Sequence, residues 1–144
     1  MKTYEYSAAV TSSSARHPIY DGDTVRLDID CGFGIWKRNT VCRLYGIDTP
    51  EMRGADRESG TKSRDALREI LSTAEKIWIR THKDKTGKYG RYLVEIFVPV
   101  TVEPMLSKIN SIKEKASDIV LDIEGVRSVN VNLLMVMLGL ANNY

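Results

Sequence analysis

The sequence predicts an α+β domain that is mainly β: a closed five-stranded barrel with two to three helices. Three observations carry this expectation. Five short segments alternate or cluster apolar residues at strand spacing, and one long segment between the third and fourth has helical spacing. The 144 residues suffice for one domain that buries roughly two-thirds of its unfolded surface.

Tyr4 to Val10 alternates well enough for a first strand. Val25, Leu27 and Ile29 alternate with Arg26, Asp28 and Asp30, the pattern of a half-buried strand. Gly32-Phe33-Gly34 supplies turn residues, and Thr40 to Ile47 returns as the partner, with Cys42 and Leu44 on one face and Val41, Arg43 and Tyr45 on the other. Glu58 to Thr73 carries an apolar stripe of Ala66, Leu67, Ile70 and Leu71 and reads as a helix. Ile77-Trp78-Ile79 and Tyr92 to Val98 complete five strands, the arrangement of a barrel of the oligonucleotide-binding (OB) type.

A single domain is expected over residues 1–144, with an inserted hairpin or helix at about 99–127. Within it Met105, Ile109, Ile112 and Ala116 fall on one helical face, and Asp118 to Ile123 can return as a strand, making the segment an enlarged hairpin tip. Val131 to Leu140 is nearly all apolar and reads as a short helix whose Met135 and Met137 fill the core.

Hydrophobic residues are 42% and charged residues 28%, ordinary for a soluble globular chain. The net charge of +2 is too small for a general nucleic-acid glue, so attraction to DNA or RNA must come from local clusters of Lys and Arg. The N-terminus has no apolar run resembling a signal peptide, and the longest apolar stretch, Leu133 to Leu138, is far too short to span a bilayer. The chain therefore reads as a cytoplasmic monomer with no membrane partner, a secreted mature form or a phage-encoded protein being the alternatives. Cys31 and Cys42 flank the hairpin; a cross-strand bridge is conceivable, and two buried free thiols is the preferred reading. His17 and His82 stand apart, so no zinc-site spacing exists.

Three segments concentrate the chemistry of phosphodiester hydrolysis. Asp21-Gly22-Asp23-Thr24 precedes a strand, Arg43 lies in the partner strand with Asp48-Thr49-Pro50-Glu51 at its end, and a basic loop runs from Lys83 to Arg91. Attack of water on a phosphodiester needs its negative charge cancelled, and a hard divalent cation held by oxygen ligands does this. The open end of the hairpin brings Asp23 and Asp48 together, so both can offer a carboxylate to such a cation. Each acidic segment alone is better read as a turn or an exit cap; both at one open end point to a site. Arg43 and Arg91 add planar guanidinium groups that grip phosphate oxygens. Glu51 is placed to accept a proton from the attacking water, an exposed loop residue being the equal alternative.

On these residues the sequence resembles the staphylococcal nuclease (thermonuclease) family. The resemblance lies in Asp21-Gly22-Asp23-Thr24, Arg43, Asp48-Thr49-Pro50-Glu51 and Lys88-Tyr89-Gly90-Arg91, covers about Tyr20 to Val98 and resumes from Ser128 to Ala141, where Val129-Asn130 and Gly139-Leu140-Ala141 fit the family's last common helix. It implies a calcium-dependent endonuclease, one Ca2+ per site, acting on DNA and RNA with little sequence preference and leaving 3′-phosphate ends. It implies calcium held by the carboxylates of Asp23 and Asp48 and the carbonyl of Thr49, with Asp21 behind them. It makes Arg43, Glu51 and Arg91 catalytic, the arginines stabilising the transition state and Glu51 handling the attacking water, and it gives Lys88 and Tyr89 the terminal phosphate of the strand. Two departures stand out: 99–127 is longer than the family's compact hairpin, and the family usually continues past the position of Tyr144 into nucleotide-stacking aromatics, leaving Tyr144 a lesser candidate for that role. The alternative function is a catalytically silent nucleic-acid or protein-binding module of the same fold; an interaction role centred on the inserted helix is a third.

Overall fold

The computed structural model describes residues 3–12, 16–82, 92–101 and 105–144. The strands are β1 (Tyr4–Val10), β2 (Ile19–Asp21), β3 (Thr24–Asp30), β4 (Trp36–Leu44), β5 (Ile47–Asp48), β6 (Ile77–His82), β7 (Tyr92–Pro99), β8 (Val120–Ile123), β9 (Val126–Asn130) and β10 (Asn142–Asn143). The helices are α1 (Arg57–Leu71), α2 (Met105–Ile112) and α3 (Val131–Met137).

Five strands close on themselves. β1 pairs with β3 and β6, β3 with β4, β6 with β7, and β4 closes the ring by running parallel to β7 from Cys42↔Tyr92 to Leu44↔Val94. This is the expected OB-type barrel. Its interior is filled by the inward set of each strand: Val25 and Leu27 of β3, Cys42 and Leu44 of β4, Ile77 and Ile79 of β6, Val94, Ile96 and Val98 of β7. β3 alternates without exception, buried at Val25, Leu27 and Ile29 and half-exposed between them. Phe97 is buried on the outer face of β7, beneath the Arg80 guanidinium at 5.1 Å.

The parallel closure has a polar clamp. Asn132, fully buried in α3, accepts from the Ile96 N–H and donates to the carbonyls of Val94 and Tyr45 at 2.9 Å. One side chain thereby engages three backbone groups where β4 leaves β7, beside the Tyr45 N–H that donates to the same Val94 carbonyl at 2.8 Å.

The structure corrects several expectations. Val129 and Asn130 belong to β9, which pairs with β7 through Phe97↔Asn130 and with β8 through a tight turn at Glu124-Gly125, both at positive φ. The expected return strand therefore forms, but it meets β9 instead of folding back on β7. Asn130 caps α3 by accepting from the Leu133 N–H, so the helix begins at Val131; it ends at Met137, ahead of left-handed Gly139. The first helix of residues 99–127 stops at Ile112 and gives way to a 3-10 turn, Lys113–Asp118, before reaching Ala116. Met105 enters the core, and Lys108 pairs with Glu69 of α1 at 3.5 Å. Both cysteines are free, yet only Cys42 is buried; Cys31 is exposed, because it follows the last residue of β3 and faces out at the hairpin tip. Met135 fills the core as expected. No helix among the described residues is long and apolar enough to cross a membrane.

α1 buries Leu67, Ile70 and Leu71 against the barrel, while Gly60 and Ser63 form a shallow step. A Cβ at Gly60 would lie 2.8 Å from the Pro50 carbonyl oxygen and closer still to that of Glu51. The backbone bearing Asp48 to Glu51 is thus seated directly on the helix. Gly60→Ala is expected to destabilise the protein by about 1–3 kcal/mol through this clash, overriding the ~1 kcal/mol that Ala gains in a helix; Ser59→Ala, on the exposed face, should be neutral. Urea denaturation of the two variants checks this, and a stabilised Gly60→Ala would show that the loop is not held there.

Candidate active site

The Asp-Gly-Asp turn lies between β2 and β3 and is pressed against the same helix. A Cβ on Gly22 would sit 2.8 Å from Ser63 Cβ and 2.9 Å from Thr49 Cγ2, so glycine is required for the turn, the helix and the Thr49 loop to meet. Asp21, Asp23, Arg43, Asp48, Thr49, Pro50 and Glu51 then line one cavity of about 290 Å³. All six residues that the sequence assigns to catalysis, metal and its support, and that fall among the described residues, are in that wall. Arg91, Lys88 and Tyr89 lie outside the described residues.

Asp23 is buried, with only 4% of its surface exposed, and its carboxylate meets three donors while still lining the cavity. Arg43 Nη1 and the Thr49 N–H both donate to Oδ2 at 3.2 Å, and the Thr24 hydroxyl donates to Oδ1 at 3.2 Å. Arg43 also reaches the Ile47 carbonyl and Asp48 Oδ1, each at 3.3 Å, through Nη2. One guanidinium therefore links the two carboxylates at the open end of the hairpin. The Thr24↔Arg43 register of β3 and β4, with the Leu44 N–H donating to the Asp23 carbonyl at 2.8 Å, fixes this placement.

Asp21 and Asp23 titrate as a pair. Burial, then the hydrogen bond and negative charge shared with Asp23, push Asp21 up to about 6. Burial acts on Asp23 in the same direction, but the hydrogen bond with Asp21, the Arg43 charge, the Thr49 N–H and the Thr24 hydroxyl outweigh it and hold Asp23 below the usual carboxylate range. Asp23 is the ionised partner and Asp21 the one that keeps a proton in weak acid.

The donors fit a hard divalent cation. Only oxygen is offered, and the carboxylates carry more negative charge than the one guanidinium cancels. Among the described residues no three Asp, Glu, His or Cys side chains converge tightly enough to hold a metal by themselves. The protein would supply two carboxylates and a backbone oxygen, and water and substrate the rest, a division suited to Ca2+ or Mg2+ and unsuited to zinc.

Sequence reasoning gave no role to Thr24, although its hydroxyl completes the Asp23 shell, and ranked Tyr144 low. The structure places the Tyr144 ring 5.4 Å from the Arg43 guanidinium. β10 pairs with β5 through Asn142↔Asp48, and the Tyr144 N–H donates to the Gly46 carbonyl at 2.9 Å. Two-residue strands carry no periodic signal, so this pairing was not visible in the sequence.

A family model described as staphylococcal nuclease homologue matches residues 41–144, more than two thirds of the chain. No curated protein matches it.

The raised Asp21 value has a consequence for stability. An acid whose folded value exceeds its ordinary 3.8 favours the fold below that value, and the advantage is lost as pH rises through about 6. Asn at position 21 keeps a hydrogen-bond donor for Asp23 without titrating. Without divalent ions, Asp21→Asn should gain about 1–2 kcal/mol on the native protein between about pH 4 and pH 7 and level off above. Urea denaturation across that range checks it; a difference independent of pH would contradict the shared proton.

Proposed function

The chain belongs to the staphylococcal nuclease homologues, and on that premise we propose that it is a calcium-dependent endonuclease that hydrolyses DNA and RNA with little sequence preference. The observation that supports this reading is the convergence of Asp21, Asp23, Asp48 and Glu51 with Arg43 on one polar cavity. Such a wall repels a phosphodiester unless a cation intervenes, and beside one it becomes a site for hydrolysis.

Asp23, Asp48 and the Thr49 carbonyl would hold Ca2+, which when bound would supply positive charge against the phosphate and polarise water. Asp21 supports Asp23 from behind, through the turn that places both. Glu51, exposed on the rim of the cavity, accepts a proton from the attacking water as its oxygen bonds to phosphorus. The bond from phosphorus to the 5′-oxygen breaks, leaving a 3′-phosphate. Arg43 offers N–H groups to phosphate oxygens as charge builds on them. Arg91 supplies a second guanidinium and assists the leaving oxygen, and Lys88 and Tyr89 hold the terminal phosphate; these three roles rest on the family motif.

Release of acid-soluble nucleotides from denatured DNA tests the reading. Calcium should support release and a chelator abolish it, and Glu51→Gln and Arg43→Ala should each slow it about 10²-fold or more. Strand binding without calcium-stimulated release above an Glu51→Gln, Arg91→Ala double variant would replace the nuclease by a silent binding module.

A further inference from the structure

A second cavity, of about 520 Å³, lies on the other side of β2 from the carboxylates. Arg16, His17, Tyr20, Arg57, Arg64 and Arg68 line it together with Met52 and Thr61, and no carboxylate does. Four guanidinium groups in one place are a strong local field on a chain whose net charge is only +2. The field acts on His17: burial, then the charges of Arg68 and Arg64, lower its pKa. Its Nδ1 accepts from the Ile19 N–H at 3.0 Å, as a neutral ring does. The positive charge therefore belongs to arginines and does not titrate near neutral pH.

The arginines are braced. Arg68 donates through Nε and Nη2 to the Ile19 carbonyl at 3.0 and 2.9 Å, which fixes its head against β2. Arg64 pairs with Asp65 at 3.0 Å, an exposed contact that phosphate can replace at little cost. Arg57, at the start of α1, is exposed. Tyr20 presents its ring to solvent with 64% of its surface exposed, unusual for a tyrosine held in a strand.

The two cavities share a wall. Tyr20 and Asp21 are consecutive in β2, one lining each cavity, and Met52 and Glu51 are consecutive in the loop before α1, again one lining each. Consecutive Cα atoms are about 3.8 Å apart, and consecutive strand side chains point to opposite faces. A strand leaving the carboxylate cavity needs to cross only the width of β2 to reach the arginines.

We propose that this arginine cavity is a second phosphate-binding site for single-stranded nucleic acid, in which Arg57, Arg64 and Arg68 hold the backbone a few nucleotides from the bond to be cut while an unstacked base lies on Tyr20. Positive grooves that track the backbone, with interleaved aromatics, are how single strands are held without sequence preference, and OB-type barrels use about 4–16 nucleotides. The inference names the substrate form of the nuclease proposed above and rests on that reading.

Fluorescence anisotropy in excess chelator, where nothing is cut, tests it. The probes are a single-stranded oligothymidylate of about 12 nucleotides, one of about 3, and a duplex of about 12 base pairs. Arg57→Ala, Arg64→Ala together should weaken binding of the longer single strand about tenfold or more and reduce its salt slope by about 1.4, two phosphates at 0.7 each. The short strand, with fewer phosphates to place, should lose less, and the urea midpoint should be unaffected, since both side chains reach solvent. An unchanged slope for the longer strand overturns the proposal, and an equal loss on the duplex overturns its single-stranded part. Calcium-supported cleavage is read separately. Cleavage with unchanged slopes removes only this inference, whereas altered slopes without cleavage remove only the nuclease.

Discussion

A buried, ionised Asp23 is the constraint from which the rest of the site follows. A charge removed from water must be met by donors, and here they come from four places in the chain: Thr24 beside it, Arg43 across the hairpin, the Thr49 N–H beyond its end, and Asp21 behind. Satisfying that carboxylate draws the β2–β3 turn, the end of β4 and the β5 loop to one point. The same convergence creates the cavity. Packing from below enforces it, because Gly22 and Gly60 allow both acidic loops to rest on α1 without a side chain between them.

Arg43 has two demands upon it. It links Asp23 and Asp48, and a cation seated on those carboxylates competes for the same oxygens. Its guanidinium, released from one or both, would face the phosphate that the cation brings. Tyr144, placed over that guanidinium by the β5–β10 pair, limits where the head can turn. On the proposed function, a single side chain would couple the charge offered to the metal to the charge offered to the substrate. Beyond β2 the charge is reversed: Arg16, Arg57, Arg64 and Arg68 line a cavity that no carboxylate lines.

Much of this was legible in the sequence, and the reasons are local. The barrel strands declared themselves because each has one face in the core, so Val25-Leu27-Ile29 and Cys42-Leu44 alternate where a helix could not. The acidic turn and Asp48-Thr49 were legible because a hairpin closes on its own ends. β9 was not, since Val129 and Asn130 run directly into the apolar α3, and only a capping asparagine separates strand from helix. Nor was the Asn132 clamp, whose partners Ile96, Val94 and Tyr45 are distant from it in sequence. The arginine cavity was hidden for a third reason. Its residues are spread from Arg16 to Arg68, and only the packing of α1 beside β2 gathers them.

The central claim is that Asp23 and Asp48 together receive a divalent cation that in turn binds phosphate. Isothermal titration of Ca2+, alone and with a nucleoside 3′,5′-bisphosphate, measures this without turnover. One ion per chain is predicted, bound more tightly when the bisphosphate is present and the bisphosphate more tightly when calcium is, with both effects lost in Asp23→Asn, Asp48→Asn. Calcium binding that survives that double substitution, or that is indifferent to the bisphosphate, would contradict the account.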